Sequence, residues 1–167
     1  MSSRSAKTTH RSDRCPTGGK RVFTNQEANA ALPLVRAIVA DLVTLAREVT
    51  ERRQRLLALA PSRPRRSADP YQEERDFAEE ELEGDARRLA EYVEELRQLG
   101  VETRSVTEGL VDFPAVLAGR NVWLCWKLGE PEVAFWHEAD AGFWGRQPLA
   151  AMKLHRSGQD EASPGHN

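Results

Sequence analysis

The chain has 167 residues, 40% hydrophobic and 30% charged, which suits one domain with a buried core and a solvated surface. Twenty-four basic and twenty-six acidic side chains leave a net charge of −2, which excludes a molecule that binds nucleic acid over its whole surface. The two cysteines, Cys15 in a polar stretch and Cys125 in an apolar run, exclude a disulfide framework and lead us to expect a reducing, cytoplasmic setting.

Residues 1 to 21, "MSSRSAKTTHRSDRCPTGGKR", carry six bases against Asp13 and almost nothing to bury. They are expected to form a disordered basic tail, the one part of the chain suited to touching nucleic acid. They lack the apolar centre of a secretory signal, and no run approaches the ~18 apolar residues of a membrane span, so no membrane role is expected. Structure is expected to begin at "FTNQEA". Thr24 and Glu27 have the spacing of a capping box, and Phe23 stands where a hydrophobic staple belongs.

From Ala28 onward the apolar positions repeat by seven. Ala28, Val35, Leu42, Val49 and Leu56 form one seam; Ala31, Ile38, Leu45 and Leu59 form its partner, with Arg52 the one exception. Pro33 lies inside this helix and predicts a kink or fresh start there. The segment "PSRPRRSADP" (61 to 70) reads as a turn. A second helix is expected to reach about Leu99, with Leu82, Leu89 and Leu96 in one seam and Ala78, Tyr92 and Leu99 in the other. Gly84 weakens its middle, and Gly100 is a natural stop.

Residues 51 to 66 hold six arginines against Glu51, and residues 73 to 95 hold eleven acids against three arginines. A tight turn makes the helices antiparallel and sets the basic end of one beside the acidic start of the other. That pattern specifies register and identifies the arginine run as a hairpin partner rather than a nucleic-acid patch.

After Gly100 the period changes from seven to two. "VETRSV" alternates, "GLVDFP" is a short strand ended by its proline, and "NVWLCWKL" puts Val122, Leu124, Trp126 and Leu128 on one face. "GEPE" is a turn and "VAFWH" a further strand. The predicted fold is therefore α+β: a long antiparallel, coiled-coil-like helical hairpin followed by a small antiparallel sheet of about three strands. One domain spans 22–150, with the hairpin in 22–100 and the sheet and C-terminal loop in 101–150. Residues 151–167 form a polar tail.

The stretches "FTNQEANAALPLVR", "GLVDFPA" and "VWLCWKLGEPEVAFWHEADAGFWGRQPL" resemble the prokaryotic domain-of-unknown-function family 2203 over roughly residues 22 to 149. The resemblance implies a small cytosolic bacterial or archaeal protein. It brings no catalytic residue with it.

The polar chemistry concentrates in the C-terminal third. His137, Glu138 and Asp140 follow the last strand, Glu130 and Glu132 flank the hairpin turn, and Arg146 lies beyond. Asp112 stands between two apolar residues of a neighbouring strand. The candidate ligand-binding residues are Asp112, Trp126, Trp136, His137, Asp140 and Arg146, and the candidate metal ligands are His137 and Asp140. Cys125 joins them only if it faces the same side. No nucleophile elbow, glycine-rich phosphate loop or paired-cysteine motif occurs, so no catalytic residue and no cofactor is assigned. The expected function is a non-enzymatic interaction or scaffold protein that uses its hairpin to bind a protein partner or a second copy. The alternative is a small-ligand or divalent-metal-binding protein, possible enzymes included, with its site between the sheet and the His137–Arg146 loop.

Overall fold

A computed structural model describes residues 21–58 and 72–151. The basic and polar tails, the turn at 61–70 and the seam residue Leu59 lie outside the described residues. Helix α1 (Asn25–Ala58) and helix α2 (Gln72–Gln98) are followed by strands β1 (Glu102–Ser105), β2 (Leu110–Leu117), β3 (Arg120–Lys127), β4 (Phe135–Glu138) and β5 (Gln147–Pro148), with a single 3-10 turn at Phe143–Gly145 before β5. The helices pack together, and the strands form one antiparallel sheet in the order β1-β2-β3-β4-β5. The fold is α+β, with five strands where about three were expected. The four-residue edge β1 falls within the alternating stretch "VETRSV", and the two-residue bridge β5 is too short to show a period.

The capping box forms as the spacing requires. Thr24 Oγ1 accepts the Glu27 N–H at 3.2 Å, and Glu27 Oε2 accepts the Thr24 N–H at 2.8 Å. Phe23 is buried edge-on against Phe113, with ring centroids 5.3 Å apart, so the staple joins the helix start to the sheet. At the other end of the hairpin, Gly100 adopts φ 86°, its N–H donates to the Arg97 carbonyl, and the Val101 N–H donates to the Leu96 carbonyl. These two hydrogen bonds, with the buried side chains of Leu96 and Val101, make a Schellman stop.

Pro33 does not break α1, which runs through it without interruption. The proline is exposed. The turn it leaves short of a hydrogen bond is braced by Asn29, whose Nδ2 donates to the Asn25 carbonyl at 3.0 Å and whose Oδ1 accepts the Val133 N–H at 2.8 Å. The seam residues Ala28, Val35, Ile38, Leu42 and Leu45 are buried, and Leu32, Val39, Val43 and Ala46 widen the stripe. By length and composition α1 is apolar enough to cross a membrane, although Asn29, Arg36 and Asp41 break its apolar runs well short of ~18 consecutive residues. Of its buried residues, Ala28, Leu32, Val35, Ile38, Val39, Leu42 and Val43 belong to a shared core with Val111, Phe113, Val122, Leu124, Trp126 and Trp136. The hydropathy of the helix is that of a core element with two packed faces.

The exception in the seam finds its counterpart. Asp85 stands midway between Ala78 and Tyr92 at sevenfold spacing, and Arg52 Nη1 meets its Oδ2 at 2.5 Å. A polar layer inside an otherwise apolar hairpin penalises any shifted register, because either charge would then be half-buried without its partner.

Strand β2 continues through Pro114, which the sequence reading took as its end. The Pro114 carbonyl accepts the Phe23 N–H at 2.7 Å, on the side away from β3. A residue's N–H and C=O share one side of a strand, so the missing donor of Pro114 faces the short β1 edge and no β2–β3 ladder bond is lost.

A β-carbon at Gly84 would meet only Arg87 Nη2, at 3.8 Å. Gly84→Ala should therefore raise unfolding free energy by about 0.5–1 kcal/mol. Urea denaturation should show a higher midpoint with an unchanged slope. At Gly109, φ is 62° and a β-carbon would lie 2.7 Å from Leu128 Cβ, so Gly109→Ala should move the midpoint the other way.

Candidate functional site

The alternation of the strands divides the sheet into two chemistries. Val111, Phe113, Val122, Leu124, Trp126 and Trp136 face the helices. Their neighbours by one position, Asp112, Trp123, Cys125, Phe135 and His137, therefore point to the outer face. Asp112 stands opposite Cys125, and Cys125 stands opposite Phe135; His137 stands opposite Trp123. Asp112, Cys125 and His137 are 1%, 0% and 3% exposed, and their ligand atoms all lie within 4.8 Å of one another.

Asp112 is the hub. Its Oδ2 accepts from Arg104 Nε at 2.7 Å and lies 3.0 Å from His137 Nε2. Arg104 arrives there because β1 bulges: Thr103 pairs with Val111 and Ser105 with Leu110, which leaves Arg104 as the extra residue. Its guanidinium stacks on the Trp123 ring at 4.6 Å. The other carboxylate oxygen, Asp112 Oδ1, is buried with no hydrogen-bond partner among the described residues. The adjacent Cys125 thiol is a weak donor.

His137 Nδ1 lies 2.8 Å from the Glu138 carbonyl, so both ring nitrogens face oxygen acceptors. That environment favours the doubly protonated ring. Burial pulls its pKa down, and the Arg104 charge adds to that. The hydrogen bonds to Asp112 and to the Glu138 carbonyl, with the Asp112 charge, outweigh them, and the pKa lies above its ordinary value. The Cys125 thiol is pushed far up, first by burial and then by the Asp112 charge, so it is held protonated.

A second pair flanks this cluster. Arg146 Nη2 donates to Glu130 Oε1 and Oε2 at 2.8 and 2.7 Å, and its guanidinium lies 4.3 Å from the Phe135 ring centroid and 4.8 Å from that of Phe143. Glu130 Oε2 also accepts the Lys127 N–H at 2.8 Å, and the Glu130 carbonyl accepts from Trp126 Nε1 at 3.0 Å. The hairpin turn, the 3-10 turn and β3 are thereby held together over the outer face.

Of the six candidates read from the sequence, the structure brings Asp112 and His137 into contact and sets Arg146 nearby, bound to Glu130. Trp126 and Trp136 lie on the helix face, within the core. Asp140 is exposed and outside the cluster; its place beside His137 is taken by Cys125. Parity along the strands identifies Cys125, since it alternates with Leu124 and Trp126. Arg104 has no such signal, because a bulge decides its direction.

The described domain coincides with a known family over residues 21–149, which hold the hairpin, the sheet and every residue of the cluster. The chain belongs to the DUF2203 family. Its members are described as uncharacterised conserved proteins. Comparison with curated proteins and with solved structures gave no match. For this DUF2203 member the chemistry must accordingly come from the cluster itself.

His137 titrates with a sign that can be checked on chelator-treated protein. Its folded pKa exceeds the ordinary 6.5, so its stabilising contribution is complete below that value and is lost as pH rises through the folded pKa. Unfolding free energy should fall as pH rises above about 6.5. His137→Gln should flatten that fall in urea denaturation followed across pH.

Proposed function

We propose that this protein binds one borderline-soft transition-metal ion, of the zinc class, through Asp112, Cys125 and His137. One observation carries the reading: three strands deliver an oxygen, a sulfur and a nitrogen donor to one buried point, where Asp112 Oδ1 has no partner but the weakly donating Cys125 thiol. Zinc bonds of about 2.0–2.3 Å set tetrahedral ligand atoms roughly 3.3–3.7 Å apart, which the 4.8 Å cluster accommodates with side-chain adjustments. The thiolate and imidazole select zinc, cobalt or copper over magnesium and calcium.

The surroundings match what such a site needs. His137 Nδ1 is anchored on a backbone carbonyl, which leaves Nε2 as the ligand nitrogen. Arg104 holds Asp112 Oδ2, which leaves Oδ1 for the ion. Charge also balances. A divalent ion that displaces the Nε2 proton and the Cys125 proton leaves the net charge of the buried cluster unchanged, so binding adds no uncompensated charge to the interior. Three protein donors leave the fourth position of a tetrahedral ion to water or another small ligand, and the burial of Asp112, Cys125 and His137 restricts access to it. A free buried cysteine fits a reducing, cytoplasmic compartment.

The test is zinc content after equilibrium dialysis of untagged protein, beside Cys125→Ser and His137→Gln. About one ion per chain is expected, lost in both variants, with cobalt giving a thiolate charge-transfer band in the wild type alone. Affinity should rise with pH by up to about a hundredfold per unit while both protons must leave. Wild-type protein that takes up no zinc or cobalt at alkaline pH would overturn the reading.

A further inference from the structure

The shared core ends before the hairpin does. Its last members on α1 and first on α2 are Val43 and Leu89. Residues 44–58 of α1 and 72–88 of α2 therefore form an arm beyond the sheet, about 22 Å long at 1.5 Å per residue. Within it Val49, Leu56, Ala78 and Leu82 are only half-buried, and Leu57 and Phe77 are 70% and 64% exposed. Two helices alone cannot cover both of their apolar flanks, and short helices owe most of their stability to tertiary packing.

The charges of the arm identify what covers it. In 44–58 four arginines (47, 52, 53, 55) stand against Glu48 and Glu51, for +2. In 72–88 eight acids (73, 74, 76, 79, 80, 81, 83, 85) stand against Arg75, Arg87 and Arg88, for −5. One helix is basic and the other acidic, so the arm is complementary to itself. A two-fold axis along the arm sets each α1 beside the α2 of a second copy. Around the resulting four-helix bundle every neighbour is antiparallel and the charge alternates in sign.

We infer that the arm is a homodimer interface, in which two copies of this chain close a four-helix bundle around Leu57, Phe77 and the half-buried seam. The bundle needs no metal at the sheet, and so stands apart from the reading of Asp112, Cys125 and His137. Opposite charges direct the pairing, while the apolar residues supply the contact area.

Sedimentation equilibrium of the full chain decides it. The wild type should sediment at twice the 18.8 kDa chain mass, with dissociation increasing with salt. Leu57→Glu with Phe77→Glu should weaken association at least tenfold while the circular dichroism spectrum stays unchanged. Charge exchange gives a second readout: a chain with Arg53→Glu and Arg55→Glu, and another with Glu79→Arg, Glu80→Arg and Glu83→Arg, should each be monomeric alone and form a heterodimer when mixed. Recovery on mixing supports the interface even if one variant is less stable. A wild type that remains monomeric at the highest concentration reached, or a dimer untouched by all of these changes, would overturn it.

Discussion

A buried carboxylate is tolerated only where positive or hydrogen-donating groups surround it, and Asp112 organises the outer face of this sheet on that condition. Desolvating one ionised carboxylate costs several kcal/mol, which must be offset locally. Here the compensation comes from both sides: Arg104 from β1 and His137 from β4 meet the same Oδ2 atom. The strands between them are thereby held in one register. A one-residue slip of β3 would replace Cys125 by Leu124 or Trp126 opposite Asp112 and turn apolar side chains toward the charged cluster. The bulge in β1 belongs to the same constraint, since without the extra residue Arg104 would lie on the regular pleat and aim elsewhere.

The two faces of the sheet thus answer to different physics. Toward the helices, dense packing of Trp126, Trp136, Phe113 and α1 supplies the hydrophobic stabilisation. Away from them, a compact set of ionisable groups is kept dry by the stacked Arg104–Trp123 pair and by Arg146 held between Phe135 and Phe143. The arginines act as covers as well as charges, because the guanidinium is planar and weakly hydrated and lies flat on an aromatic ring. The hairpin repeats the logic on a smaller scale. Arg52 and Asp85 interrupt an apolar seam and make a single alignment of the helices the favourable one.

Much of this was legible in local pattern. The sevenfold repeat located α1 and α2, Thr24 and Glu27 marked the start, and Gly100 marked the stop, because caps and helix periods arise from contacts only three to five residues apart. Pro33 and Pro114 were misjudged for one reason: the damage a proline does depends on whether its missing N–H was needed. That depends on what lies beside it, Asn29 and Val133 in the first case and the Phe23 segment in the second. Trp126 and Trp136 entered the list of site residues by chemistry alone, although strand parity already separated them from Cys125 and His137.

The amino-acid sequence by itself determined the elements, their order and which face each strand residue takes, since those follow from fixed periods of 3.6 and 2 along one stretch of chain. Tertiary structure alone decided that Asp112, Cys125 and His137, drawn from three strands, converge, and that Arg104 rather than Asp140 completes their surroundings. Convergence depends on the register between strands and on a bulge. Both are settled by the combined energy of packing and buried charge across the sheet, a quantity to which no single segment holds the key.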